Sequence, residues 1–208
     1  YLEYQSPTYE GEIVLQELEN KAEVVFDEYG IPHIYAQNQR DAYFALGFVQ
    51  AQERLFQMEL YRRLVQGRAS EVFGEALIPT DKYFLTLGLN KLAKEAAEKH
   101  FYSAGRKEYQ QPIYSYLEGV NAFIAKGNLP VEFQLLGHQP EPFVVEDVYG
   151  SLNLTALGFS FAQNEDLLLN FIYHDLGAEY LEDFSEDFIP KNDEITAYVH
   201  QLMNEQLG

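Results

Sequence analysis

The spacing of apolar residues changes near residue 40. Before that point they come in short runs, Ile13-Val14-Leu15, Val24-Val25-Phe26 and Ile31-Pro32-His33-Ile34-Tyr35-Ala36. Asn20-Lys21 and Tyr29-Gly30 separate the runs as turn signals, so the pattern predicts a small antiparallel set of strands over about 12–36. Gln5, Ser6, Pro7 and Thr8 make residues 1–10 read as an arm. Asp41 stands where a helix N-cap is expected. After it, Phe44, Phe48, Ala51, Leu55, Met58 and Val65 recur at helical spacing, so helices are predicted from about 41 onward. Gly67 fits the C-cap of this first helix. Glu59 precedes Arg62 and Arg63 by three and four residues, a spacing that predicts ion pairs on the helix face worth about a few tenths of a kcal/mol each.

Further helices are predicted over 89–104 and over 106–126, where Ile113, Tyr116, Leu117, Val120, Phe123 and Ile124 share one side. Asn128-Leu129-Pro130 breaks that helix, and 131–143 reads as irregular. Val145 to Phe161 is mainly apolar, with Glu146 and Asp147 near its start where they suit the helix dipole, and it predicts a buried helix. Leu167–Leu176 predicts another, ended by Gly177. Residues 178–188 are acidic and aromatic, and 192–206 read as a last amphipathic segment. There is no internal repeat. A few strands followed by many helices make an α+β chain with a thin sheet. Three short strands are too few to cover so much helix, so the sheet is expected to continue in another chain.

Composition narrows the partners. Among 208 residues, Lys+Arg is 14 and Asp+Glu is 33, a net charge of −19. Such a surface repels a nucleic acid or an anionic membrane. Residues 128–208 hold one basic residue, Lys191, and 15 acidic ones. This is a solvated acidic face, or one that meets a basic partner or a hard cation such as calcium. The 47% hydrophobic content supports a real core, and the absence of Cys excludes disulfides and thiolate chemistry. No apolar run reaches the roughly 18 residues of a membrane span. Tyr1-Leu2-Glu3-Tyr4 is not a signal peptide, which fits a cytoplasmic chain or a mature exported one.

Residue types alone show no catalytic machinery. His33, His100, His138, His174 and His200 are far apart and lack metal-ligand spacing. No Gly-x-Ser-x-Gly, Walker A or dinucleotide fingerprint occurs. His33 reads as a hydrogen-bonded structural histidine, and Glu53 and Arg54 as side chains that satisfy neighbouring groups. At this level the chain could be a binding subunit or a structural helical domain.

Longer strings are more specific. Asp27-Glu28-Tyr29-Gly30-Ile31-Pro32-His33-Ile34, then Ala45-Leu46-Gly47-Phe48-Val49-Gln50-Ala51-Gln52-Glu53-Arg54-Leu55-Phe56-Gln57-Met58, then Arg62-Arg63, Gly67 and Ser70-Glu71 resemble the start of the penicillin acylase family. Tyr116-Leu117-Glu118-Gly119-Val120-Asn121-Ala122-Phe123-Ile124, Pro130–Gly137 and Pro140-Glu141-Pro142-Phe143 extend the resemblance over roughly residues 12–180. That family includes penicillin G, cephalosporin and acyl-homoserine lactone acylases.

The resemblance implies that 1–208 is the mostly helical α chain of a two-chain enzyme. An αββα N-terminal-nucleophile hydrolase sandwich would be completed by a β chain cut from the same precursor. It implies amide hydrolysis through an acyl-enzyme, with no catalytic residue in this chain and the nucleophile, usually Ser, at the start of the β chain. Leu207-Gly208 resembles the family's processing junction, and export to the periplasm or outside is implied. Alignment with penicillin G acylases puts Ala156, Phe159 and Ser160 at acyl-pocket positions where those enzymes carry Met, Arg and Phe. The departures predict weaker preference for phenylacetyl groups and more tolerance of long or bulky acyl chains. The family's structural calcium site implies Asp166, or its neighbour Glu165, as the α-chain ligand. No organic cofactor is implied. Acyl-homoserine lactones and acylated β-lactams compete as substrates, and a non-catalytic relative serving as a binding or structural protein is the alternative. An isolated helical module leaves the long motifs unexplained.

Overall fold

The computed structural model describes residue 7, residues 9–103, residue 105 and residues 107–181. Within its helices the side chains of residues 161–167, 178 and 181 lie outside the description. The chain divides into two compact units, residues 1–155 and 156–208.

The first unit begins with a two-stranded antiparallel hairpin, β1 (Glu23–Phe26) and β2 (Pro32–Tyr35), in which Val24 faces Ile34 and Val25 faces His33 across the ladder. The turn between them is built by Asp27. Its Oδ1 accepts the N–H groups of Tyr29 and Ile31, both at 2.9 Å, and Gly30 takes the positive φ of 74° that the turn requires. The expected third strand, Ile13–Leu15, is absent. Ile13 and Leu15 pack against the core and Val14 is exposed, so the segment alternates as a strand does, but it pairs with neither strand.

Helix α1 (Gln39–Gln66) follows. Its N-cap is Asn38, whose side chain accepts the N–H of Asp41 at 2.7 Å, one helical turn before the expected cap. Asp41 itself is fully buried in the first turn. It accepts the N–H groups of Glu19 (3.0 Å) and Asn20 (2.8 Å) and the Asn38 amide (2.9 Å), tying the N-terminal segment to the helix. Burial pushes its carboxyl up, and these donors more than offset that, holding it below the usual range. Gly67 ends α1 in the left-handed conformation, as expected, and Arg68 N–H reaches back to Arg63 C=O.

The region after Gly67 holds elements that the apolar pattern did not reveal: α2 (Ser70–Phe73), a 3-10 turn at Glu75–Leu77 and α3 (Ile78–Leu87). α4 (Leu89–Ala97) is shorter than expected and closes in a π-helical turn, Glu98–Tyr102. α5 (Gln111–Lys126) buries Leu117, Val120 and Phe123, as its spacing predicts. A short α6 (Val131–Leu135) occupies part of the stretch expected to be irregular.

The core joins Phe48, Ala51 and Leu55 of α1 with Leu117, Val120 and Phe123 of α5, and adds Phe101, Phe133 and Phe143. α1 and α5 meet at two glycines. A methyl group at Gly47 would fall on the Tyr116 carbonyl, and one at Gly119 on the Phe44 carbonyl. Backbone therefore touches backbone at both points.

α7 (Val145–Phe171) runs on through the break expected after Phe161 and leads into a π-helical turn, Ile172–Leu176, ended by Gly177. The expected burial is found at the start of the helix, where Val145 is 3% exposed and Val148 and Tyr149 pack against the core, and it does not extend further among the described side chains. Leu152 is 60% exposed, and in the second unit Phe159 is 71% exposed. In that unit a 3-10 turn spans Ala178–Leu181. The amphipathic segment expected at 192–206 lies outside the described residues. With its small sheet and many helices the chain is α+β, as expected.

Candidate functional site

The most developed polar arrangement lies in the first unit, on the last turns of α1. Glu59, Arg62 and Arg63 are all less than a tenth exposed, so they are not the surface ion pairs that their spacing suggested. The segment from His138 to Phe143 covers them. Glu59 pairs with Arg62, with Arg63 Nε at 2.7 Å and with His138 Nε2 at 2.8 Å. Burial pushes the Glu59 carboxyl up. The Arg62 charge and the bonds from His138 and Arg63 outweigh it and hold the carboxyl below its usual range.

Arg62 does the most binding. Its Nη1 donates to the carbonyls of Glu141 (3.0 Å) and Pro142 (3.2 Å) and lies 3.6 Å from Asp147 Oδ2. Its guanidinium sits 4.1 Å from the centroid of the Phe143 ring. Asn121 of α5 clamps the same residue from the other side, accepting Phe143 N–H at 2.7 Å and donating to its C=O at 2.9 Å. Asp147 then starts α7 by accepting Val144 N–H at 3.0 Å. Burial raises the Asp147 carboxyl despite that bond and the Arg62 charge. Arg63 and Arg68 share Glu71, whose carboxyl the Arg68 bonds lower to about 2. His138 and Asn121 were not expected to take part. Their signals were slight: a Gly-His-Gln-Pro turn and one Asn on an otherwise apolar helix side.

Chemically this cluster holds a loop in place. Every charge in it is paired, and no nucleophile with an adjacent base occurs there. Among the described residues no three His, Asp or Glu side chains come together as a metal site would require. His33 bonds Asp27 Oδ2 at 3.1 Å, the structural role expected of it. Glu53 accepts the Tyr9 hydroxyl at 3.2 Å. Arg54 departs from expectation, because it has no hydrogen bond or ion pair among the described residues.

Of the sequence-predicted site residues, Ala156, Phe159 and Ser160 lie in the second unit, three and four positions apart on one face of α7. All three are exposed, and the Ser160 hydroxyl donates to Leu157 C=O at 2.7 Å. Glu165 and Asp166 lie in α7, and their side chains are outside the described ones.

The penicillin amidase family model matches residues 21–194. The chain belongs to this family. It is 43% identical over 138 residues to a penicillin acylase 2 proenzyme from Pseudomonas sp. (strain SE83), a match covering 66% of this chain and 17% of that protein. Penicillin G acylase of Escherichia coli is 34% identical over 139 residues, covering 62% and 16%. An acyl-homoserine lactone acylase QuiP from Pseudomonas syringae pv. tomato is 30% identical over 175 residues, covering 82% and 20%. The chain thus spans a small part of these acylases' length. Among solved structures, a thermostable penicillin G acylase chain from Alcaligenes faecalis shares the fold, with a TM-score of 0.53 at 24% identity, covering 83% of this chain and 93% of that one. The strings Gly47 to Met58 and Tyr116 to Ile124 gain physical reasons: Gly47 and Gly119 let two helices touch, and Asn121 clamps the loop before α7.

Proposed function

We propose that this chain is the α subunit of a self-processed acylase that hydrolyses the amide bond of N-acylated small molecules, acyl-homoserine lactones or acylated β-lactams. The observation that carries the reading is a contrast in coverage. The match takes 93% of a solved penicillin G acylase chain but only 17% of a related proenzyme. A separate chain of about this extent supports a precursor cut into a small and a large part, with the αββα sandwich completed by the large one.

In this reading the first residue of the second chain attacks the amide carbonyl. Its own α-amino group takes the hydroxyl proton through a water and passes it to the leaving amine. Water then hydrolyses the acyl-enzyme. The present chain contributes pocket wall from the α7 face carrying Ala156, Phe159 and Ser160. Phe159 in place of a cation offers no partner to a substrate carboxylate, and the small Ser160 leaves room for longer acyl groups. The protein would work in the periplasm or outside the cell. Among the described residues no helix is long and apolar enough to cross a membrane.

Calcium is proposed as a structural ion, with Asp166, or Glu165 beside it, as the ligand from this chain. Hard carboxylate oxygens suit it. It takes roughly six to eight oxygens, more than two adjacent carboxylates supply, so the second chain would provide the rest. Metal analysis of the washed two-chain protein checks this, and absence of calcium there overturns it.

The test of function is turnover by the processed protein on phenylacetyl, glutaryl and C6 to C12 acyl-homoserine lactone substrates, with intact-mass analysis of the second chain. Turnover with a Ser-first second chain is expected. Phenylacetyl amides outranking every aliphatic acyl amide in kcat/KM would refute the pocket argument. No turnover with a first residue other than Ser, Thr or Cys would overturn the enzyme reading.

A further inference from the structure

One groove in the first unit is lined along α1 by exposed polar side chains that make no hydrogen bond to the described residues. Gln50, Arg54, Gln57 and Tyr61 recur at spacings of four, three and four, forming one stripe along α1. Tyr116 of α5 and Val148 and Ser151 of α7 form the facing wall, and Met58, Leu117 and Phe143 form an apolar floor. The volume enclosed is about 540 Å³. Among the described residues, the side chains of Gln50, Arg54, Gln57, Tyr61 and Tyr116 make no hydrogen bond. Arg40, Arg62, Arg63 and Arg68 all pair with carboxylates, and Arg54 does not. Asp147, at the end of the groove, is already committed to Arg62, Gln66 and the Val144 N–H.

We infer that this groove seats a carboxylate-bearing segment of the second chain, with Arg54 as the residue that receives the carboxylate. The inference rests on the two-chain reading above. Charge complementarity selects the occupant. Arg54 is an unpaired guanidinium on a chain of net charge −19, and the amide and hydroxyl groups around it offer donors to an acceptor-rich strand. Arg suits a planar, bidentate carboxylate contact better than Lys. Supply is not limiting, because the matched region is only 17% of a related proenzyme, which leaves most of such a protein outside this chain. Tyr61, 54% exposed in this chain, would become buried under the segment.

The test uses the full processed protein with Gln57→p-benzoylphenylalanine, ultraviolet cross-linking and peptide mass spectrometry. The expected product joins Gln57's position to a second-chain peptide containing Asp or Glu. Independently, Arg54→Glu should weaken association of the chains at least about tenfold, with Arg54→Lys intermediate. If the second chain co-purifies but no such cross-link forms, or if Arg54→Glu associates as tightly as wild type, the groove assignment is overturned and the two-chain reading stands. If no second chain is found by intact mass, both fail. Protection of the groove by free benzoate, without a second-chain cross-link, overturns the inference in favour of a small carboxylate ligand.

Discussion

Replacing Arg62 with Met tests whether the buried cluster holds the His138–Asp147 segment in place. The substitution keeps much of the side chain's bulk and removes the charge and all the donors. Glu59 is 3% exposed and Arg62 7%, so the pair is desolvated. Breaking such a pair by removing one partner costs about 3–5 kcal/mol. Glu59 keeps Arg63 at 2.7 Å and His138 at 2.8 Å, which favours the lower end. The Glu141 and Pro142 carbonyls also lose their donor. A loss of about 3 kcal/mol, at about 1.4 kcal/mol per tenfold, accelerates amide exchange in the protected segments more than a hundredfold. The assay is hydrogen exchange with mass spectrometry on the full polypeptide, read at residues 55–66 and 141–150. The double variant Glu59→Gln/Arg62→Met should recover part of the loss, because Glu59 then carries no charge to compensate and Asp147 is the one carboxylate that has lost its Arg62 partner. Acceleration below tenfold in both segments, or strict additivity in the double variant, would refute the reasoning.

Three further outcomes follow from the geometry. Gly119→Ala places a methyl group on the Phe44 carbonyl, which no rotamer can relieve, so a loss of at least about 1–3 kcal/mol is expected in thermal unfolding of the full protein; an unchanged Tm would contradict the close approach. Asp41→Ala leaves the Glu19 and Asn20 N–H groups without acceptors, at about 1–3 kcal/mol each, and should expose residues 17–22 to proteolysis while Asp41→Asn does so less. For pH, Glu59 and Glu71 have folded pKa values below the unfolded value of 4.5, so their stabilisation is complete above it and lost as pH falls through the lowered values, for Glu71 down to about 2. Half-exposed Glu71 contributes little, and Asp147, raised by burial, acts the other way because acid relieves its penalty. Protection at 138–147, taken relative to the intrinsic exchange rate at each pH, should therefore fall below about pH 4.5, and a Glu59→Gln variant with the same slope would show that another group is responsible.

The long periodic elements were legible because their signal is local. The α1 stripe and its Gly67 stop follow from spacing and a positive φ, as does the α5 face. Ile13–Leu15 misled because Ile13 and Leu15 turn inward while Val14 turns out, an alternation that packing onto helices produces without any strand partner. Asp41 looked like a cap, and its burial depends on Glu19 and Asn20, which sequence cannot place beside it. Glu59, Arg62 and Arg63 were correctly paired but wrongly put at the surface, since what buries them is a loop nearly eighty residues later. α7 reads as a buried helix; its start packs against the core through Val145, Val148 and Tyr149, and residues 151–160 are mostly exposed. The α7 face with Ala156, Phe159 and Ser160 came from family resemblance, and neither periodicity nor this chain's packing singles it out.

The glycine contacts between α1 and α5 have a mechanical consequence. Helices packed through side chains can shear, sliding a little as rotamers switch from one well to the next. Here two backbones touch at Gly47 and Gly119, and the residues one turn along the same faces, such as Ala51 and Phe123, carry a Cβ. A slide of one helical turn would drive a Cβ into a carbonyl. The pair translates or tilts as a single stiff lever, so any rearrangement within the first unit has to come from the elements around it.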